Sequence, residues 1–101
     1  MQMKKQKSLT KTYVEKSIEK TANALNSIGI INESEGRELL DMAQRYVSDA
    51  QHFLEKGNLI AAFGAVEYAH GLLDAGVLAN FFKILKNEDL FVFRNRHLRE
   101  K

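Results

Sequence analysis

The sequence has no cysteine, no proline and only six glycines among its 101 residues. Without cysteine there is no disulfide framework and no thiolate zinc site, which fits a reducing, cytoplasmic setting. Without proline there is no cis-proline turn and no proline stop to a helix. Six glycines are few for the many tight turns of an all-β fold. No apolar run approaches the ~20 residues that a membrane-spanning helix needs, so no membrane association is expected. The basic opening MQMKKQK leads into polar residues, not into the apolar segment of a signal peptide. Neither a glycine-rich phosphate loop nor a nucleophile motif in a recognisable context is present.

What is present suits one globular domain with a single modest core: 45% hydrophobic and 28% charged residues. The net charge of +2 is unevenly spread. Residues 1–16 carry five lysines and one glutamate, which is +4. Residues 94–101 carry three arginines, one lysine and one glutamate, which is +3, and this leaves −5 on the body. Basic ends on an acidic body are read first as solvated tails, with residues 1–7 expected to be disordered. The second reading is weak contact with nucleic acid through Arg94, Arg96 and Arg99.

Helical spacing organises the body. Val14, Ile18, Thr21, Leu25 and Ile28 recur at fours and threes, so a first helix is expected over about 8–28, capped by Ser8 or Thr10 and ended by Gly29. Leu39, Ala43, Tyr46, Ala50 and Phe53 repeat the pattern, widened by Leu40, Val47 and Leu54. This predicts a second helix over 33–56, with Asn32 as its cap and Glu33, Glu35, Glu38 and Asp41 at the positive end of its dipole. Gly57 supplies a left-handed stop and Asn58 caps a third helix at once, so helices two and three should be antiparallel neighbours. The third helix is expected over 58–85. One face gathers Leu59, Ala62, Phe63, Val66, His70, Leu73, Val77, Phe81 and Ile84, and the other gathers Ala61, Ala65, Tyr68, Leu72, Ala75 and Ala79. A helix apolar on two sides is usually buried on two sides, and a three-helix chain has no evident cover for the second. Leu90-Phe91-Val92-Phe93 is too short for a stable helix. It should be extended, and either folds back on the bundle or pairs with a partner chain. Residues 87–101 then form an appendage and basic tail.

The expected architecture is therefore all-α: an up-down-up three-helix bundle with a long third helix and a short C-terminal extended segment. Two side-chain sets stand out. Glu67, His70 and Asp74 lie on one helical face, where two carboxylates beside an imidazole suit a divalent cation or a hydrogen-bonded histidine. The first of these readings needs a second Glu-x-x-His motif, which is missing, so no cofactor is assigned. Tyr46 and Asp49 on helix two, with Tyr68 and Asp74 on helix three, suit interhelical hydrogen bonds or a polar ligand pocket. Arg45 and His52 are spaced like the catalytic pair of RNA-cleaving nucleases of the higher-eukaryote and prokaryote nucleotide-binding class, a pattern loose enough to occur on many helices.

The run Tyr46-x-x-Asp49-Ala50-x-x-Phe53-Leu54-x-x-Gly57-Asn58, continued by Ala62-Phe63 and Tyr68-Ala69-His70-Gly71-Leu72-Leu73-Asp74-Ala75-Gly76, resembles an archaeal family, domain of unknown function 357. The resemblance covers residues 20–85. It implies a small helical bundle in an archaeal cytoplasm and no assigned activity. Some members stand beside nucleotidyltransferase-like domains, but no such motif is present here, so that link would be as an accessory. The leading expectation is a non-catalytic interaction or assembly module. It would form a homodimer, or bind another protein, through Ala61, Ala65, Tyr68, Leu72, Leu90, Phe91 and Phe93. The alternatives are a small-ligand or metal-binding protein and an RNA-associated accessory protein.

Overall fold

The computed structural model describes residues 8–95. The expectations for residues 1–7, and for Arg96 and Arg99, lie outside them. In chain order the elements are α1 (Lys11–Leu25), β1 (Ile28–Ile30), α2 (Glu33–Glu55), α3 (Leu59–Leu78), β2 (Phe82–Ile84) and a 3-10 turn, Glu88–Leu90. The three helices form the expected up-down-up bundle.

The helix starts are set by side-chain caps. Thr10 Oγ1 accepts from the Tyr13 amide at 3.1 Å, Asn32 Oδ1 from Glu35 at 2.9 Å and Asn58 Oδ1 from Ala61 at 3.0 Å. Each pairs one of the first-turn amides that have no partner inside the helix. Gly57, at φ +80°, turns the chain between α2 and α3 in the left-handed region, which a residue with no Cβ enters without strain.

The first and third helices are shorter than their apolar periods suggest. α1 ends at Leu25, and Gly29 is not its stop but the middle of β1. α3 ends at Leu78 rather than near residue 85, which makes α2, at 23 residues against 20, the longest helix. The stop is Asn80, at φ +63°. The Phe81 amide reaches back to the Gly76 carbonyl at 2.9 Å and the Asn80 amide to Val77 at 3.1 Å, closing the helix in a Schellman turn. The chain then runs back as β2, antiparallel to β1, with Ile28 opposite Ile84 and Ile30 opposite Phe82. Amides of Ile31 and Asn32 share the Phe81 carbonyl, and Leu85 N–H donates to Ser27 O, so the pairing extends past both strand ends.

The core has two connected halves. Val14 and Ile18 of α1 meet Val47 and Ala50 of α2 and Ala62, Val66 and Ala69 of α3. At the other end Ala24, Ala43, Leu73 and Val77 surround Phe82 and Phe91. Phe82 is fully buried and its ring lies on Gly76, where the absent side chain leaves room for it.

The C-terminal extended segment folds back on the bundle. Phe91 is buried and Leu90 and Phe93 are half-buried against the second half of the core. Asn95, which no local pattern marks for a role, is buried. Its Oδ1 accepts from the Ile84 amide at 2.9 Å, and its Nδ2 faces the carbonyls of Phe82 at 3.0 Å and Val77 at 3.4 Å and Oδ1 of Asn80 at 3.3 Å. A side chain thus takes the place of a third strand on the outer edge of β2.

Candidate functional site

The ionisable trio Glu67, His70 and Asp74 does share one side of α3, but the structure gives its members separate tasks. His70 Nε2 lies 2.7 Å from the Leu90 carbonyl and Nδ1 lies 2.9 Å from Thr21 Oγ1. A carbonyl oxygen only accepts, so Nε2–H donates to Leu90, and in the neutral ring Nδ1 then accepts from the threonine hydroxyl. Thr21, read from its spacing as a core position, is buried and supplies the polar partner on α1. Asp74 Oδ1 accepts from the Val92 amide at 2.9 Å. The two residues together fasten the chain after β2 to the bundle, and the Phe91 ring lies against the His70 ring at 6.3 Å. Glu67 is exposed and joins neither bond. Both histidine nitrogens are thus engaged, and among the described residues no group of three histidine, aspartate or glutamate side chains is placed to hold a metal.

Tyr46 and Tyr68 do meet across α2 and α3, edge to face with centroids 4.6 Å apart. Asp49 stays exposed at an open depression with Met42, Arg45, Tyr46 and Ser48, away from the cleft that holds Glu67 and His70. The two polar sets therefore do not converge on one pocket. His52 meets Phe53 edge to face, with centroids 6.0 Å apart, and is exposed, as is Arg45. Arg94 is held internally. It donates to the Phe91 carbonyl at 2.8 Å and pairs with Glu88 at 3.4 Å.

The interface set needs correction. Leu90, Phe91 and Phe93 are spent on the chain's own core. Ala61, Ala65 and Leu72 are half-buried, with Ala65 and Leu72 packed at the margins of the core. Of the set, Tyr68 alone is widely exposed, at 52%. The open side of α3 is turned away from Ala65 and Leu72, toward Gly64 and Gly71. It runs from Ile60, 81% exposed, through Gly64, Tyr68, Gly71 and Ala75 to Leu78, 59% exposed, and Ala79. Ile60 and Leu78 escaped notice because periodicity fixes which residues share a face but not which face its neighbours cover. Glu67 is the one charged residue at the rim of that side. The outer sides of the other helices are ordinary by contrast. That of α1 carries Lys11, Glu15, Lys16, Glu19 and Lys20, and that of α2 carries Glu38, Asp41, Arg45 and Glu55 among others.

The family model described as Protein of unknown function (DUF357) matches residues 11–82. The chain belongs to this family. The DUF357 match takes in all three helices and β1 and ends on the buried Phe82, so the segment fastened by His70, Asp74 and Asn95 lies beyond it. No curated protein and no solved structure matches the chain. Among the described residues no helix is long and apolar enough to cross a membrane.

Proposed function

We propose that this DUF357 chain is a non-catalytic assembly module that associates with a second copy of itself through the open side of α3, in the archaeal cytoplasm that the family resemblance implies. The observation that carries the reading is the contrast between helices. α3 shows solvent two large aliphatic side chains, a tyrosine, two alanines and two glycines over its whole length, with a single carboxylate at the rim. Scattered apolar residues on a surface need no explanation, but a continuous strip on one helix marks a contact surface. The alternatives have less support. A small-ligand or metal site would need the two polar sets to converge, and an RNA-associated role would rest on basic residues of which the described one, Arg94, is bonded within the chain.

Sedimentation velocity from about 1 μM to about 1 mM tests the proposal, since it brackets the affinities of weak protein contacts. The mass should rise with concentration from 11.5 kDa toward twice that value, and Ile60→Lys or Leu78→Lys should hold it at the lower figure. A monomer at the highest concentration overturns the proposal.

A further inference from the structure

We infer that the second copy docks antiparallel, with the two α3 helices face to face about a twofold axis beside Ala69 and His70. This rests on the self-association reading above and specifies its geometry. An interface between two identical copies about a twofold axis must be complementary to itself. The exposed residues of α3 meet that condition in one direction only. Reversing the helix about its middle levels Ile60 with Leu78, Gly64 with Ala75 and Tyr68 with Gly71. The two exposed aliphatic side chains then cover each other at both ends of the contact. Tyr68 lies over Gly71, where even a Cβ would meet nothing within 4 Å. Gly64 against Ala75 lets the backbones approach. A parallel pairing would set Tyr68 level with Tyr68, leave glycine facing glycine across a gap, and turn the α1 flank of one copy toward the α2 flank of the other.

Charge points the same way. A twofold axis lying in the contact plane and running across the helices, as antiparallel docking requires, brings the α1 flank of one copy against the α1 flank of the other. On that flank Glu67 shares a cleft with Lys16 and Lys20, and none of the three forms an ion pair among the described residues. α1 runs parallel to α3, with Tyr13 beside Phe63 and Thr21 bonded to His70. Lys20 therefore stands next to the inferred axis, and Glu67 of the second copy, level with Leu72, arrives within a turn of it. The carboxylate left single at the rim of each copy thus meets Lys20 of the other. A strip about 30 Å long and about 10 Å wide gives roughly 600 Å² over both copies. That falls below the ~1,200 Å² of long-lived complexes and fits a transient dimer.

The absence of native cysteine makes the test direct. Residue 71 and its equivalent in the second copy would be offset by about 4–5 Å along the helix, which, with the backbones in close contact at the glycines, lets a disulfide of ~4.4–6.8 Å Cα span bridge them. The two copies of residue 60 would be about 27 Å apart. Under mild oxidation Gly71→Cys should form covalent dimers and Ile60→Cys should not. Glu67→Lys and Lys20→Glu should each weaken association several-fold by sedimentation, and the double variant should restore it. Cross-linking at both positions would mean parallel pairing and overturn the inference. Dimers in sedimentation with cross-linking at neither position would overturn it while leaving self-association intact, and monomers throughout would overturn both.

Discussion

Replacing Gly76 with alanine tests the turn that closes the bundle, and Gly64 on the same helix supplies the control. In the interior of a helix alanine is favoured over glycine by about 1 kcal/mol. At Gly64 a Cβ would meet nothing within 4 Å, so Gly64→Ala should stabilise the fold by ~0.5–1 kcal/mol. At Gly76 the Cβ would fall on the Cδ2 and Cε2 atoms of the Phe82 ring and 3.1 Å from Leu39 Cδ2. The ring has no escape, because Phe82 is 0% exposed and its backbone is tied into the pairing with Ile30. Overpacking of this kind costs ~1–3 kcal/mol, and displacing the phenylalanine forfeits part of the ~1.5–3 kcal/mol its burial provides. Gly76→Ala should therefore be net destabilising by about 1–3 kcal/mol despite the better helix former. Urea denaturation followed by far-UV circular dichroism measures both variants, in protein dilute enough that association adds nothing. Adding Phe82→Leu to Gly76→Ala should recover part of the loss. Equal stabilisation at Gly64 and Gly76 would refute the reasoning and remove β2 from its place over α3.

Two further outcomes follow from the polar contacts of the last segment. Asn95→Ala leaves the Ile84 amide and the Phe82 carbonyl without their partner in a buried setting and should cost about 2–3 kcal/mol in the same denaturation experiment. A change below ~0.5 kcal/mol, typical of a plain surface site, would show that the edge of β2 is not closed this way. His70→Ala strands the buried Thr21 hydroxyl and frees the Leu90 carbonyl, so it should cost about 2 kcal/mol. It should also speed hydrogen exchange at the Val92 amide, which Asp74 holds only while the segment is docked. Unchanged exchange there would mean that His70 does not fasten the segment.

The features legible in the sequence are those decided within a few residues. Thr10, Asn32 and Asn58 cap helices because a short polar side chain reaches an amide three residues on, whatever the rest of the chain does. Gly57 turns the chain because, with no Cβ, it takes the positive φ found there without strain. The four-three recurrence of Val14, Ile18 and Thr21, and of Ala43 and Ala50, marked the buried sides because a helix fixes which residues face together. The resemblance to the DUF357 family was likewise visible in local runs, and its matched region is the bundle itself.

Local rules were undecided elsewhere. Phe81 and Ile84 continue the helical period of α3 as well as they fit a strand. The deciding energy comes from Ile28–Ile30, far back in the chain, which pairs with Phe82–Ile84 and lets Phe82 bury itself on Gly76. Asn80 can then take the left-handed turn that ends the helix. Asp74, His70 and Asn95 found their partners only when the last segment folded back, since none of those bonds links near neighbours. The side of α3 left open was also a tertiary matter. Sequence showed that this helix is apolar all round, but the packing of α1 and α2 chose which part of its circumference meets water.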